Sequence, residues 1–377
     1  MPGTGTAGVV AYEAIHRLAT SGLTQLELLE EVARRVRAVV PYDSGAWMTV
    51  DPATLLHTGV FVEGAHRDSG AVHLRYADNE YLAPDFLKLV DVARLRTPVL
   101  TLREATGGDQ ALSRRHRTIH ADLGVGEELR AVFRSGATVL GAVCLCRDAE
   151  QPEYSKRERD FVASIAGAVG EGLRLALLLG ADGNEAGRHV PGVIVLRADD
   201  SVESVTAEAE HWLAQIPRDL GATLELSSAV LAAARRARSL TRGGAERPAR
   251  SRIRLPSGQW LLVHAAPLLG RDPDDERVVV ILEPARAAEL APLVVDLYEL
   301  TSREREVTEL LTRGLGIDEI AARLWISRHT VRDHTKAIFA KVGVGSRAEL
   351  TAKLFHEHYL GEIEVHAGAQ AEARRPG

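Results

Sequence analysis

Apolar positions along this chain change period several times, and the changes mark out its elements. Leu28, Leu29, Val32 and Val36 recur at helical spacing between Thr24 and Val40, and Pro41 ends the run, which predicts an entry helix. Ala46–Val50, Leu55–Val62 and Ala131–Cys146 read as strands. Phe161, Ile165, Val169 and Leu173 then line one face of a long helix, opened by the capping box Ser155-Lys156-Arg157-Glu158. The same stretch, Phe161–Ala181, is apolar enough to test as a membrane span. Glu171 and Arg174 lie near its middle, where each charge costs about 2.5–3.5 kcal/mol, so the reading is a packed amphipathic helix and no membrane partner.

A second alternation begins at Gly192–Leu196, turns at Asp199-Asp200 into Val202–Val205, and continues as a helix over Ala207–Leu213. An arginine-rich segment follows (Arg235, Arg236, Arg238, Arg242, Arg247, Arg250), then strands at Arg252–Leu255 and Trp260–Pro267 joined by Ser257-Gly258, and a last strand at Val278–Leu282.

From Leu300 the helical signals become dense. Thr301-Ser302-Arg303-Glu304 is a capping box, Val307, Leu310 and Leu311 give the following helix an apolar face, and Gly314 ends it. Ile317, Ile320, Ala321 and Leu324 line a short second helix, Trp325-Ile326 turn, and Ser327 caps a third helix running to about Val342. A last helix opens with the box Ser346 to Glu349 and carries Leu350, Leu354 and Phe355. Helix, short turn, helix is the geometry that delivers one helix into a DNA major groove.

Composition fits several domains. At 377 residues, 45% hydrophobic and 26% charged, the chain can bury two or three cores, since domains hold about 100–200 residues. The expected divisions are 1–180, a small polar linker at 181–191, 192–290, 291–361 and a disordered tail at 362–377. The net charge of −6 excludes nucleic-acid binding through the field of the whole molecule. A local basic surface is needed, and the third C-terminal helix supplies it. Arg328, Arg332, Lys336 and Lys341 face outward against one acid, Asp333, a net of +3, with His329 and His334 besides, while Val331, Ile338 and Val342 face inward. Three of the chain's five lysines, Lys336, Lys341 and Lys353, lie in this C-terminal stretch, and abundant arginine and alanine suggest a GC-rich bacterial genome.

Three resemblances follow from these residues. Leu300–Val307, Glu319–Leu324, Ile326-Ser327, Thr330–His334, Ile338–Val342 and Ser346–Leu350 together resemble a LuxR-type helix-turn-helix, over about a sixth of the chain. That resemblance implies an all-α four-helix domain, double-stranded DNA as partner and a homodimer with Leu350 and Leu354 at its contact. It also implies that residues 332, 333 and 336 face base edges and that 327, 330, 334 and 341 lie against phosphates. The first region resembles a GAF domain, an α/β sensor module, in its entry helix, its closing strands Leu129–Arg134 and Thr138–Cys146 around Ser135-Gly136, and its exit helix. The second resembles an α+β PAS-type sheet with a short helical flank. Elementary chemistry agrees at the DNA surface: Arg332 can donate two bonds to guanine, Lys336 can reach guanine or phosphate, and Ser327, Thr330 and the helix N-terminus suit phosphate oxygens. Asp333 departs from what a DNA surface wants, and its expected role is to orient Arg332 and Lys336, with acceptance from a cytosine amino group as the alternative.

Other clusters carry less. His116 and His120 are four apart, but the arginines in Arg114-Arg115-His116-Arg117 would repel a cation, so a solvated basic face is expected and no metal. Cys144 and Cys146 point to one face of a strand near the distance limit for a disulfide, and buried thiols are the default. Trp47 and Trp260 are expected in the core rather than in a pocket. No phosphate-binding glycine loop, H-E-x-x-H, Cys-x-x-Cys or G-x-S-x-G occurs, so neither an ATP-driven regulator nor a hydrolase is supported and no cofactor is implied. The order of elements also lacks the repeat of a phosphorylated receiver domain. The expectation is a cytoplasmic DNA-binding regulator that is not an enzyme, with RNA polymerase a candidate partner. Its front domains either bind a small-molecule effector or serve as assembly modules.

Overall fold

The computed structural model describes residues 6–65, 67–179, 190–219, 226–241, 247–268, 276–285, 289–290, 293 and 296–351. Most of the expected linker at 181–191, the tail at 362–377, and Leu354 and Phe355 lie outside the described residues. The chain forms two compact units, Met1–Pro284 and Ala285–Gly377.

The first unit opens with helices α1 (Thr6–Leu18) and α2 (Gln25–Arg37). The helix α2 lies within the run that the sequence predicts, and Thr24 caps it: Glu27 accepts from the Thr24 backbone N–H at 2.9 Å. Strands β1 (Ser44–Val50) and β2 (His57–Gly64), helix α3 (Gly70–Leu82), the single turn α4 (Leu89–Val92), strand β3 (Val99–Thr101) and the single turns α5 (Leu102–Ala105) and α6 (Ala121–Leu123) follow. β4 (Val125–Ser135), β5 (Thr138–Asp148) and α7 (Lys156–Leu179) complete the GAF-like layout. The antiparallel sheet runs β2-β1-β5-β4-β3, with Ser44 opposite Cys146 and Trp47 opposite Val143. Gly136 takes a left-handed φ of 56° in the β4–β5 turn. Trp47 stacks on Phe133 at 6.0 Å between centroids, in the core as expected.

The length and composition of α7 would let it cross a membrane, yet about half of it is buried in the unit, with Phe161, Ile165, Val169 and Leu173 all inward. The helix comes so close to β4 that a Cβ on Gly170 would fall inside the Arg134 backbone. Gly170→Ala should gain about 1 kcal/mol of helix propensity but lose about 2–3 to overpacking. A net destabilisation of about 1–2 kcal/mol, read from urea unfolding of the full chain, is expected.

The second sheet has β6 (Gly192–Leu196), β7 (Val202–Val205), helices α8 (Ala207–Gln215) and α9 (Ser228–Thr241), then β8 (Arg250–Arg254), β9 (Trp260–Pro267) and β10 (Val278–Pro284). Its order, β7-β6-β10-β9-β8, repeats that of the first sheet: second, first, fifth, fourth and third strands of the set. Three arginines of the arginine-rich segment, Arg235, Arg236 and Arg238, lie on the helix α9, which is buried on nearly every side. Ala229, Ala232, Ala233, Ala234 and Ala237 give it a slim apolar body, and Asp200 accepts from both Arg235 (2.7 Å) and Arg238 (2.6 Å).

The two sheets share one core, in which Leu56 and Tyr81 pack with Trp212, Val230 and Leu261. Buried polar bonds cross the same joint. Arg252 donates to Asp51 from its backbone N–H (3.0 Å), Nε (2.7 Å) and Nη2 (2.9 Å). Asp219 accepts from the Val60 N–H on edge strand β2 at 2.8 Å and from Ser228 at the start of α9.

The segment around His116 and His120 corrects the expectation of a solvated basic face. Arg115 and His120 are fully buried, and His116–His120 forms a single turn of π-helix. The reason lies outside the segment: Glu128 Oε2 accepts from Arg115 Nε at 2.8 Å, and Asn79 Oδ1 accepts from Arg115 Nη1 at 2.7 Å. Desolvation, partly offset by Glu128, draws the His120 pKa down to about 4 and keeps the ring neutral. Among the described residues no group of three or more His, Cys, Asp or Glu side chains is placed to hold a metal. Cys144 and Cys146 are free and buried, their sulfurs 4.0 Å apart on one face of β5.

Candidate nucleic-acid interface

Among the described residues of the second unit, three helices have both ends defined, α10 (Ser302–Thr312), α11 (Ile317–Leu324) and α12 (Arg328–Val342), and a further helical turn begins at 347. The first and third start where the sequence places a cap, and the second opens on a box at Gly316 and Glu319 that the sequence reading does not name. The Thr301 N–H donates to Glu304 Oε2 at 2.7 Å, the Gly316 N–H to Glu319 Oε2 at 2.6 Å, and the Thr330 N–H to Ser327 Oγ at 3.0 Å. Gly314 and Gly343 take left-handed φ values of 98° and 70° beyond the ends of α10 and α12. Val331, Ile338 and Val342 are buried against α10 and α11, so the opposite side of α12 is the outer face.

On that face the four expected cations divide into two classes. Arg328 Nε pairs with Asp318 Oδ1 of α11 at 2.5 Å, with both side chains well exposed. Lys341 Nζ lies 2.7 Å from Glu304 Oε2 and donates to the Glu299 carbonyl at 3.1 Å. Against its own desolvation, Glu304 is held below the usual carboxylate range by the Lys341 bond and then by Thr301. Lys341 therefore joins α12 to the cap of α10. Arg332 and Lys336 are exposed and have no ion-pair or hydrogen-bond partner among the described residues.

The remaining expected residues sit as follows. Ser327 and Thr330 share a hydroxyl contact at 2.9 Å at the N-terminus of α12. His329 Nε2 stands 3.5 Å from Asp333 Oδ2 one turn on, both exposed, so the partner of Asp333 is His329 and not Arg332 or Lys336. His334 is half-buried. Leu350 is fully buried within the single chain, where it closes the helical core.

Trp325, expected only as part of a turn, is a further exposed residue at this surface. It ends α11 in the left-handed conformation (φ 55°, ψ 45°) and its side chain is 93% exposed, in the turn leading directly to Ser327. That conformation costs a residue with a Cβ about 1–2 kcal/mol. The available signal was a tryptophan where a turn ordinarily takes glycine or asparagine.

Residues 298–354 match the family described as bacterial regulatory proteins, luxR family. Over 114 residues the chain is 39% identical to the putative HTH-type transcriptional regulator in the exeN 3' region of Aeromonas salmonicida, covering 28% of this chain and 54% of that protein. The chain thus spans about half the length of that relative. Over 66 residues it is 42% identical to the spore germination protein GerE of Bacillus subtilis (strain 168), covering 18% of this chain and 85% of that protein. Among solved structures, the GAF domain/HD domain protein from Geobacter sulfurreducens is similar at a TM-score of 0.31 and 17% identity, over 44% of this chain and 99% of that chain.

Proposed function

Since this chain belongs to the luxR family of bacterial regulatory proteins, we propose that it regulates transcription in the cytoplasm by placing α12 in the major groove of duplex DNA. The observation that carries this reading is the outer face of α12, where Arg332 and Lys336 stand exposed without a protein partner among the described residues. Arg332 reads guanine and Lys336 reads guanine or the adjoining phosphate. Asp333, beside them with its side chain 57% exposed, accepts from a cytosine amino group. Ser327, Arg328, His329, Thr330 and His334 meet phosphates around the N-terminal end of the helix. The Arg328–Asp318 pair is a surface pair worth about 0–1 kcal/mol, weak enough for a phosphate to displace. Trp325 adds an aromatic contact to the sugar–phosphate edge.

Lys341 takes a different role, fixing α12 to α10 through Glu304. The protein acts as a homodimer that reads two half-sites about one helical turn apart. Its subunit contact falls to the segment carrying Leu354, because Leu350 is spent on the core of its own chain. RNA polymerase is the partner through which binding becomes regulation, and the chain is no enzyme. The first unit acts as a small-molecule sensor, a role supported by the cavity of about 140 Å³ within it.

Titration of the full chain with duplex DNA at several salt concentrations tests the DNA reading. The logarithm of the affinity should fall linearly with log salt, by about 0.9 for each phosphate neutralised. A folded protein that retains no duplex at low salt would overturn it.

A further inference from the structure

The cavity of the first unit lies between the first sheet, α3 and α9, so the second sheet's long helix forms part of the wall of a pocket in the first. We propose that it binds a neutral, single-ring aromatic molecule carrying one hydrogen-bonding group, of the phenol class, and that α9 closes over the ligand; this rests on the sensing role proposed above.

Size, wall chemistry and charge each restrict the ligand. An engineered apolar cavity of about 150 Å³ in another protein accommodates benzene, so 140 Å³ is the size that one six-membered ring fills. Met48, Val60, Val62, Leu89, Val143 and Leu231 make the wall largely apolar. Arg130, the one guanidinium among the described lining residues, is already shared between Glu80 (2.7 Å) and Glu128 (2.7 Å), and Glu128 also accepts from Arg115. Asp85 also lies 3.8 Å from Arg115, and Arg236, with its guanidinium 5.5 Å from the Tyr81 ring, is outside the lining; the lining charges Arg130 and Glu80 are bonded to each other, so neither a carboxylate nor an ammonium ligand finds an unmatched counter-charge in the wall. Either would then bear the full cost of losing its hydration.

Among the polar side chains of the wall, which also include His73 and Tyr76, His57 can orient a ligand. The His57 ring lines the cavity edge-on to Tyr81, with centroids 5.5 Å apart, and its nitrogens bond to no described residue. Desolvation draws its pKa down to about 4, leaving a neutral imidazole with one N–H to give and one lone pair to receive. On the far wall, Ser228, Leu231 and Ala232 of α9 face the same space, and Asp219 ties the start of α9 to β2. A bound ring therefore touches elements of both sheets, and its occupancy strengthens the docking of α9.

The test titrates the full chain with phenol, benzoate and benzylamine by calorimetry and thermal unfolding, and measures DNA affinity with and without phenol. Phenol should bind saturably and raise the unfolding temperature, while the two ions should not. Ala232→Phe should abolish binding by filling the cavity, and His57→Phe should weaken it by about two- to tenfold, the value of one hydrogen bond. If Ala232→Phe does not fold, His57→Phe carries the comparison. No saturable phenol binding, a preference for benzoate or benzylamine, or wild-type affinity in the folded variants overturns the assignment. Phenol binding that obeys the variants but leaves DNA affinity unchanged keeps the site and removes the sensing role.

Discussion

Asp51→Ala should destabilise the first unit by about 3–5 kcal/mol, the usual result of removing one partner from a buried ion pair. The cost comes from what remains. Arg252 keeps its charge in a site where Asp51 accepts three of its N–H groups and where both side chains are almost wholly out of water. Attraction between the two charges is not the main quantity, because desolvation offsets most of it. The double replacement Asp51→Leu with Arg252→Met should therefore recover part of the loss, with the bonds from the Arg252, Ala53 and Thr54 backbone N–H groups still missing. Urea unfolding of the full chain reads both variants. A double variant no more stable than Asp51→Ala would show that the pair itself, and not the stranded charge, sets the stability of the joint between the sheets.

Arg332→Ala should cost about 1–3 kcal/mol on a preferred DNA sequence and much less on random duplex, since a bidentate contact to guanine is lost only where guanine is present. Lys341→Ala serves as the contrast. Its ammonium is held by Glu304 and the Glu299 carbonyl, so the variant should lower the unfolding temperature while leaving the salt slope of DNA binding near that of the parent. The family resemblance instead implies that Lys341 lies against a phosphate, which predicts weaker binding to all sequences alike and a shallower slope. Equal losses by Arg332→Ala on preferred and random DNA would remove it from base reading.

How much of this was legible beforehand depended on how local the determinants are. The helices of the second unit and the caps at Ser155, Thr301 and Ser327 are fixed by residues three or four positions apart, so spacing alone located them. Most strands of both sets were readable for the same reason, through alternation and turns at Gly136 and Gly258, but the three-residue edge strand β3 (Val99–Thr101) is too short to alternate and was missed. The failures lie where burial is set by a distant partner. Arg115 reads as exposed until Glu128 is folded beside it, and Arg235 and Arg238 read as a polar stretch until Asp200 receives them. Lys341 belongs to this group, its partner Glu304 lying 37 positions earlier. The basic patch was correspondingly overestimated: of four outward cations on α12, two are paired within the chain. The cavity had no local sign either, because its walls come from α3, the first sheet and α9.

Selection of binding sites from a random duplex library by the full chain tests the central claim most directly. The account predicts enrichment of a two-fold-related pair of short half-sites about one helical turn apart, each containing guanine, with the preference at one guanine lost when Arg332→Ala is selected in parallel. A library that emerges without enrichment, or an Arg332→Ala selection identical to the parent's, would contradict base reading by α12.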